Sequence, residues 1–235
     1  MVYRRLVIAL LYDVHGNLPA LEAVVADAEA QGADRWVLGG DYALFGGWPA
    51  QTVARLRQLG PAVWIRGNGE RWTADPASAP DNPVVPGAIA ASRAALGEAT
   101  VTELGALPGS VEDEGALVCH GSPPSDVRSF LPEAAEDEAD LLDGVAQPRV
   151  YFGHTHLPFR RVSAVRGIEL VNPGSVGMPF DGDPRAAYAL VHADGEIEHR
   201  RVAYDHEASA ARVRGLGEPW TETVARRIEQ ARMDV

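Results

Sequence analysis

Five short stretches hold side chains suited to gripping a cation: Asp13, His15 and Asn17 in YDVHGN, Asp41 in GGDY, Asn68 and Glu70 in RGNGE, His120 in CHGSP, and His154 and His156 in GHTHLP. Each stretch follows an apolar run. The glycines around them let the backbone turn sharply, so side chains from several strands can converge. If the stretches meet, two Asp, one Asn and four His face one cavity. Imidazole nitrogen mixed with carboxylate oxygen suits Mn, Fe, Zn, Co or Ni. Seven ligands exceed what one ion usually takes from protein. Two ions sharing a carboxylate use all seven, leave positions open for water and substrate, and at roughly 3.5–4 Å apart clamp the attacking and leaving oxygens of a displacement.

Each piece alone has a plainer explanation. A single His after a strand is usually structural, and an Asp where a strand meets a helix is often an N-cap. The conjunction is what points to a metal. The remaining histidines, His192, His199 and His206, fall in a terminal hairpin and tail and read as surface or structural residues.

The elements needed to position these groups can be read from the pattern. RRLVIALLYD is a continuous apolar run, as expected of a strand covered on both faces. LPALEAVVADAEAQG has helical spacing and a stop at Gly32. DRWVLGGD, PAQTVARLRQLG and AVWIRGNGE continue as strand, helix and strand, which predicts a parallel sheet with the polar groups at its carboxyl ends. TADPASAPDNPVVPG reads as loop and AIAASRAALGEATVTELGALP as one or two short helices. ALVCHGSP and PRVYFGHTH are further strands, with the acidic SDVRSFLPEAAEDEADLLDGV between them, helical in part. IELVNPGSVG, AAYALVHAD and GEIEHRRVAY are strands joined by turns, and Asp194-Gly195 marks a tight hairpin. Two helices, broken near Gly217 and Pro219, complete the tail at about residues 206–232.

The length of 235 residues fits a single domain over residues 1–235, with inserts at about 72–112 and 124–147 forming a cap or rim. A net charge of -12, with every one of the 21 basic residues an Arg, leaves no basic stripe for long nucleic acid. A metal could still supply local positive charge for a small phosphorylated substrate. One cysteine, Cys119, allows no disulfide within the chain and agrees with a reducing cytoplasm. MVYRRLVIALLYD is too short and ends too soon, on Asp13, to be a signal peptide, and no run is long enough to span a membrane. WTETVARRIEQARM could pack on its own domain or on a partner, so an oligomer is possible.

In order, DVHGN, GGD, RGNGE, CHGSP and GHTH resemble the calcineurin-like metallophosphoesterase superfamily, and NPGSVGMPFDGDPRAAYAL is similar to its small bacterial and archaeal phosphodiesterase branch. The resemblance runs over roughly residues 5–203. It implies an α/β fold, a four-layer αββα sandwich of two mixed β-sheets flanked by helices with small cap inserts, where the residues alone suggest one parallel sheet. It implies two divalent transition-metal ions, manganese first in expectation. One would be held by Asp13, His15, Asp41 and His156, the other by Asp41, Asn68, His120 and His154, with Asp41 bridging. It further implies hydrolysis of a small, nucleotide-like phosphate ester, most readily a diester, by a metal-bridging hydroxide, with Asp41 and the Asn68 amide as catalytic groups. Phosphomonoesters and short oligonucleotides are alternative substrates. The same fold also serves as a non-catalytic scaffold in the retromer coat, where the ligand set is eroded; here all seven positions are filled.

Some positions depart from that pattern. Many relatives carry His or Cys after the motif Asn, and this chain has Gly69. A His there would be a general acid worth ~10²–10⁴-fold, so its loss predicts slow turnover of poor leaving groups, which His at position 69 should improve. Glu70 could substitute, but reads as a structural acid. Tyr12 stands where relatives often have Ser and should alter packing beneath the site. Met178 and Phe180 replace Gln and Arg and make the cavity mouth more apolar, and Phe180 could stack on a base. Arg66, Arg71 and Arg160 flank motifs and could bind phosphate.

Overall fold

The computed structural model describes residues 6–235; Arg4 and Arg5 of the expected first strand lie outside the described residues. From β1 (Ile8–Leu11) the chain runs through α1 (Leu18–Ala30), β2 (Arg35–Leu38), α2 (Pro49–Leu56), β3 (Ala62–Trp64) and α3 (Asn68–Ala74). A 3-10 turn at Pro76–Ser78 leads into α4 (Val85–Leu96) and α5 (Glu98–Gly105). Next come β4 (Ser110–Asp113), β5 (Ala116–Cys119), α6 (Glu138–Leu141), β6 (Arg149–Tyr151), β7 (Phe159–Val162) and β8 (Glu169–Asn172). The hairpin of β9 (Ala186–Val191) and β10 (Ile197–Val202) and the helices α7 (His206–Arg214) and α8 (Thr221–Gln230) follow.

These strands form two five-stranded mixed sheets, β10-β9-β1-β2-β3 and β4-β5-β6-β8-β7. The expected parallel β1-β2-β3 core is present, and β9 adds to it antiparallel, pairing Ile8 with Val191. The first sheet is therefore completed only by the last two strands, after the whole second sheet has intervened.

Alternation explains the layers. Ile8, Leu10 and Tyr12 enter a core between the sheets with Val37, Ile65, Val118, Tyr151 and Val171. Ala9 and Leu11 face the other way, onto Leu21, Val24 and Val53 of α1 and α2. A strand buried on both faces has no reason to alternate in hydrophobicity, so it appears in sequence as one apolar run. Helix α1 follows from Leu21, Val24, Val25 and Ala28, all buried at i, i+3, i+4, i+7 spacing. Asn17 caps its start, accepting from the Ala20 N–H at 3.4 Å. Outside the second sheet, Val150, Phe152 and Leu170 pack on Phe130, Leu141 and Leu142. That fourth layer contains only one turn of helix, less than the acidic segment suggested. Four residues are too few to be helical unaided; Leu141 is buried and Glu138 pairs with Arg161.

Two strands have no counterpart in the sequence reading. SVED (β4) and FRRV (β7) are half-exposed edge strands of polar composition. β4 enters β5 through Glu114 and Gly115, both at positive φ (46° and 78°), a turn of the type that favours hairpins. The segment 72–112 is accordingly not all insert: its first residues finish α3 and its last join the second sheet. A further apolar cluster joins α4, α7 and α8 through Val85, Ile89, Val213, Val224 and Ile228. Among the described residues, no helix is long and apolar enough to cross a membrane.

Candidate metal centre

Every candidate ligand lies just beyond the carboxyl end of a strand that runs parallel to a neighbour, and both sheets contribute. Asp13, His15, Asp41 and Asn68 follow β1, β2 and β3; His120, His154 and His156 follow β5 and β6. Hydrogen bonds tie these ends together: Asp13 N to Gly40 O (3.2 Å), His15 N to Asp41 O (2.9 Å), and Gly153 N to His120 O (2.7 Å). The His154 N–H crosses between sheets to Asp13 Oδ2 at 3.0 Å. Asn68, expected in a loop, instead opens α3.

Five of the seven have left-handed backbones: Asp13 (φ 54°), His15 (48°), Asp41 (56°), His154 (67°) and His156 (58°). This conformation costs a non-glycine residue roughly 1–2 kcal/mol, and such strain collects where surrounding structure enforces a functional geometry. Asp and His are among the non-glycine residues that adopt it most often.

The imidazoles are oriented by the main chain. His15 Nδ1 donates to Leu44 O (3.0 Å), His120 Nδ1 to Gly39 O (2.8 Å) and His156 Nδ1 to Met178 O (2.5 Å). Since a carbonyl can only accept, each ring presents a bare Nε2 lone pair to the centre. His15 Nε2 and His156 Nε2 then stand 3.1 Å apart with no proton between them. Burial pushes the His15 pKa down to about 3 and that of His156 well below its usual value, so neither ring takes a second proton near neutrality. Two facing lone pairs repel unless a cation lies between or beside them.

The carboxylates make the same demand. Asp13 Oδ1 is buried without a hydrogen-bond partner, 3.7 Å from His120 Nε2 and 3.6 Å from His156 Nε2. Asp41 lies 3.8 Å from His15 Nε2 and 3.5 Å from His120 Nε2. Burial raises both carboxyl pKa values, that of Asp13 to about 8. Among the described residues no arginine is within ion-pair distance of either. The Asn68 oxygen is 3.0 Å from His120 Nε2, and turning the amide would put its nitrogen 2.8 Å from His154 Nδ1. An oxygen surrounded by ring nitrogens is the orientation a cation favours. His154, its pKa lowered to about 4 by burial, stands edge-on to His120 with ring centres 5.5 Å apart.

Two groupings result. Asp13, His15 and His156 each offer a donor atom within 4.8 Å of the others, and so do Asp13, Asp41 and His120. Asp13 belongs to both groups, and Asp41, 3.8 Å from His15 Nε2 and 3.5 Å from His120 Nε2, also lies between them.

Other residues prove to hold the site in shape. Glu70 is buried, and its two oxygens accept the N–H groups of Asp41, Tyr42 and Gly67, each at 2.8 Å. It is a clamp on three backbone donors. Glu70→Ala should strand three buried donors and lower unfolding stability by about 3 kcal/mol or more, measurable by urea unfolding of metal-free protein; an unchanged midpoint would contradict the clamp. Asn172 donates to Gly153 O (3.1 Å) and Thr155 Oγ1 (2.9 Å), fixing the loop of the two histidines. Ser175 Oγ donates to Asp13 O at 2.7 Å. Tyr12 lies fully buried beneath the site, as expected, and a β-carbon on Gly39 or Gly153 would strike its ring at 2.0 or 2.6 Å.

The centre opens into a cavity of about 970 Å³. Trp72, Val84 and Val85 reach it from one expected insert, Val127, Arg128 and Leu131 from the other, and Arg227 and Met233 from the tail. Arg71 lines it too, but its guanidinium is held by Asp126 through bonds of 2.6 and 2.7 Å. Phe180 covers His156, ring centres 4.3 Å apart and nearly parallel, so one face of the aromatic is already occupied. Arg66 donates to Gly105 O, and Arg160 pairs with Glu169; neither lines the cavity. His192 pairs with Glu198 and His199 binds Asn172 O, as structural residues do.

Comparison with known proteins agrees with this geometry. The chain is 28% identical over 222 residues to an uncharacterised protein of Methanocaldococcus jannaschii, covering 84% of this chain and 88% of that one. The structure is similar to that of a metallophosphoesterase from Sphaerobacter thermophilus, at 31% identity and TM-score 0.80, over 97% of this chain and 99% of the other. A hypothetical protein from Pyrococcus horikoshii shares the fold at 19% identity and TM-score 0.80, over 96% and 98%. The sequence profile of the calcineurin-like phosphoesterase superfamily domain matches residues 6–196. Because that span contains the whole constellation of buried carboxylates, amide and imidazoles, the chain belongs to the calcineurin-like phosphoesterase superfamily.

Proposed function

We propose that the chain is a dinuclear metal-dependent phosphodiesterase, a single catalytic domain acting in the cytoplasm on a small, nucleotide-like ester. The observation that carries this reading is the pair of bare Nε2 atoms of His15 and His156, 3.1 Å apart beside the unpartnered Asp13 Oδ1. That arrangement fits a cation and little else. Asp13, His15, Asp41 and His156 would hold one ion, and Asp41, Asn68, His120 and His154 the other. Two divalent ions held there, manganese in our reading, would supply the positive charge that lowers the pKa of a nucleophilic water and offsets charge on the phosphoryl oxygens. The chain's own contribution is to fix the donors before substrate arrives. Leu44, Gly39 and Met178 hold three imidazoles in one tautomer, and the Asn68 amide would help to neutralise a phosphoryl oxygen. The cavity is far larger than a phosphate and largely apolar, with room for a substituent on each side of a diester.

Position 69, where many relatives carry a general acid, holds Gly69 in this chain. Aryl diesters should therefore be cleaved ~10²-fold or more faster than dinucleotide linkages; equal rates would mean an acid has been overlooked. His at position 69 is a less simple remedy than the sequence suggests. A β-carbon on Gly69 would lie 2.9 Å from Asp41 Oδ1, the same oxygen that accepts the Gly69 N–H at 2.7 Å. Gly69→Ala should displace that carboxylate and reduce turnover about 10- to 100-fold, and Gly69→His can gain only what exceeds this loss. Full activity in Gly69→Ala would show that the crowding is harmless.

The test of the function is metal analysis paired with cleavage of bis-p-nitrophenyl phosphate in Mn, Ni, Co, Fe, Zn and Mg. About two ions per chain with metal-stimulated cleavage is the expected result. No metal and no cleavage with any ion would overturn the reading in favour of a binding scaffold.

A further inference from the structure

Among the described residues, three arginines reach the cavity wall: Arg71, Arg128 and Arg227. Two are already neutralised, Arg71 by Asp126 and Arg128 by Asp137 at 2.7 Å. Arg227 is different. It lies on α8, beyond residue 196 where the superfamily match ends. Its Nε donates to Met233 O at 3.1 Å, and among the described residues no carboxylate pairs with it. Burial moves its pKa downward and no acid opposes that shift. Its side chain lines the same cavity as His15 and Phe180. A guanidinium stays charged at any working pH, and a half-buried charge without a partner is costly to keep.

The fold goes to some length to keep it there. Val224, Ala225 and Ile228 are buried against the α4 and α7 cluster, which fixes the rotation of α8. After the helix, Ala231 takes a left-handed turn (φ 51°), and its carbonyl accepts the Gly182 N–H at 2.9 Å. The tail is thereby tied to the loop that carries Phe180, and the Met233 carbonyl returns to occupy Nε. Among the described residues the two terminal nitrogens, with four N–H groups, have no hydrogen-bond partner, and the side chain lines the cavity. A planar pair of donors of that kind matches two oxygens of a phosphate.

We infer that Arg227 binds a second, non-reacting phosphate of the substrate beside the Phe180 loop of the cavity, so that the preferred substrates are nucleotide-like diesters carrying a further phosphate. This rests on the esterase reading for the position of the reacting group. It assigns a specificity role to the tail helix, which the sequence motifs do not touch.

The experiment compares two probes that differ by one phosphate, thymidine 5′-monophosphate and thymidine 3′,5′-bisphosphate, by calorimetric binding to metal-loaded full-length protein. Wild type should bind the bisphosphate about 10- to 100-fold more tightly, the range for charge-assisted hydrogen bonds. Arg227→Ala should bring the ratio close to one, and Arg227→Lys, which keeps the charge but not the fork, should retain part of it. Thermal unfolding of both variants separates loss of the helix from loss of the contact. A wild-type ratio near one, or a ratio that survives Arg227→Ala, overturns the inference. Equal weakening of both probes in Arg227→Ala also overturns it, because the arginine would then serve the reacting phosphate. Failure of the esterase reading shows separately, as absence of bis-p-nitrophenyl phosphate cleavage by wild type, and the binding ratio still reports on Arg227.

Discussion

Asp41→Asn should abolish hydrolysis, with a loss of about 10³-fold or more, and yet leave the metal-free protein at least as stable as wild type. The two halves of that expectation have one cause. Asp41 is buried, it faces His15 and His120 at 3.8 and 3.5 Å, and its acidity is suppressed by burial and by nearby Glu70. One of its oxygens accepts the Gly69 N–H, so an amide must either face that donor with its oxygen and lose the inward acceptor, or turn and oppose N–H to N–H. Either way the shared ligand is gone. Without a cation, though, an ionised buried carboxylate is a burden and a neutral amide relieves it. Turnover in saturating manganese and thermal unfolding in chelator are the two measurements. A variant that hydrolyses at near wild-type rate would remove Asp41 from the metal-binding role. A large drop in metal-free stability would mean the carboxylate is held by contacts beyond those described.

The second large effect concerns pH. In the metal-free fold the Asp13 pKa is raised to about 8. An acid whose folded pKa exceeds its unfolded value stabilises fully below the unfolded value, and that contribution is lost as pH rises toward the folded one. The histidines act in the opposite direction. With His15 at about 3 and His154 at about 4, the unfolded chain takes up protons first as pH falls below 6.5, and stability declines toward acid. Metal-free protein should therefore be most stable near pH 6.5 and lose about 2 kcal/mol by pH 8 through Asp13 alone. Metal-loaded protein should not, because a cation keeps the carboxylate ionised at no cost. The gap in melting temperature between manganese-loaded and chelator-treated samples should widen from pH 6.5 to 8. Metal binding at pH 6.5 should release at least one proton, detectable by calorimetry in buffers of different ionisation enthalpy. Parallel melting curves, or binding without proton release, would show that Asp13 is already ionised in the empty fold.

The ligand set was legible because it is made of residue types rare at strand ends, spaced by glycines that mark the turns. The interior strands were legible because burial on both faces leaves no polar residue to interrupt IALL or AAYALV. The second sheet was not legible from pattern, since its edges are SVED and FRRV, whose polar alternation reads as loop. Glu114-Gly115 was the available clue to the first of them. Asn68 looked like a turn residue because Gly67 and Gly69 flank it, yet Glu70 reaching back to the Gly67 N–H starts a helix there. The roles of Glu70, Asn172 and Ser175 depend on which backbone groups lie nearby, information no residue type carries. Arg227 was hidden among 21 arginines; what sets it apart is a place on the cavity wall without a carboxylate beside it, and only three-dimensional structure shows that.

The placement of β9 between β10 and β1 has a consequence for how the chain comes off the ribosome. β1, β2 and β3 are synthesised first and carry Asp13, His15, Asp41 and Asn68 at their ends, but the Ile8–Leu11 edge stays unpaired until Ala189–Val191 emerge. During most of synthesis the nascent sheet thus presents an open, apolar edge together with half of a metal site. Such pairings between distant segments form slowly and are exposed to aggregation meanwhile. Completion should be post-translational, with the last hairpin acting as the latch, and truncations after residue 172 should yield insoluble chains even though every candidate metal ligand has already been made.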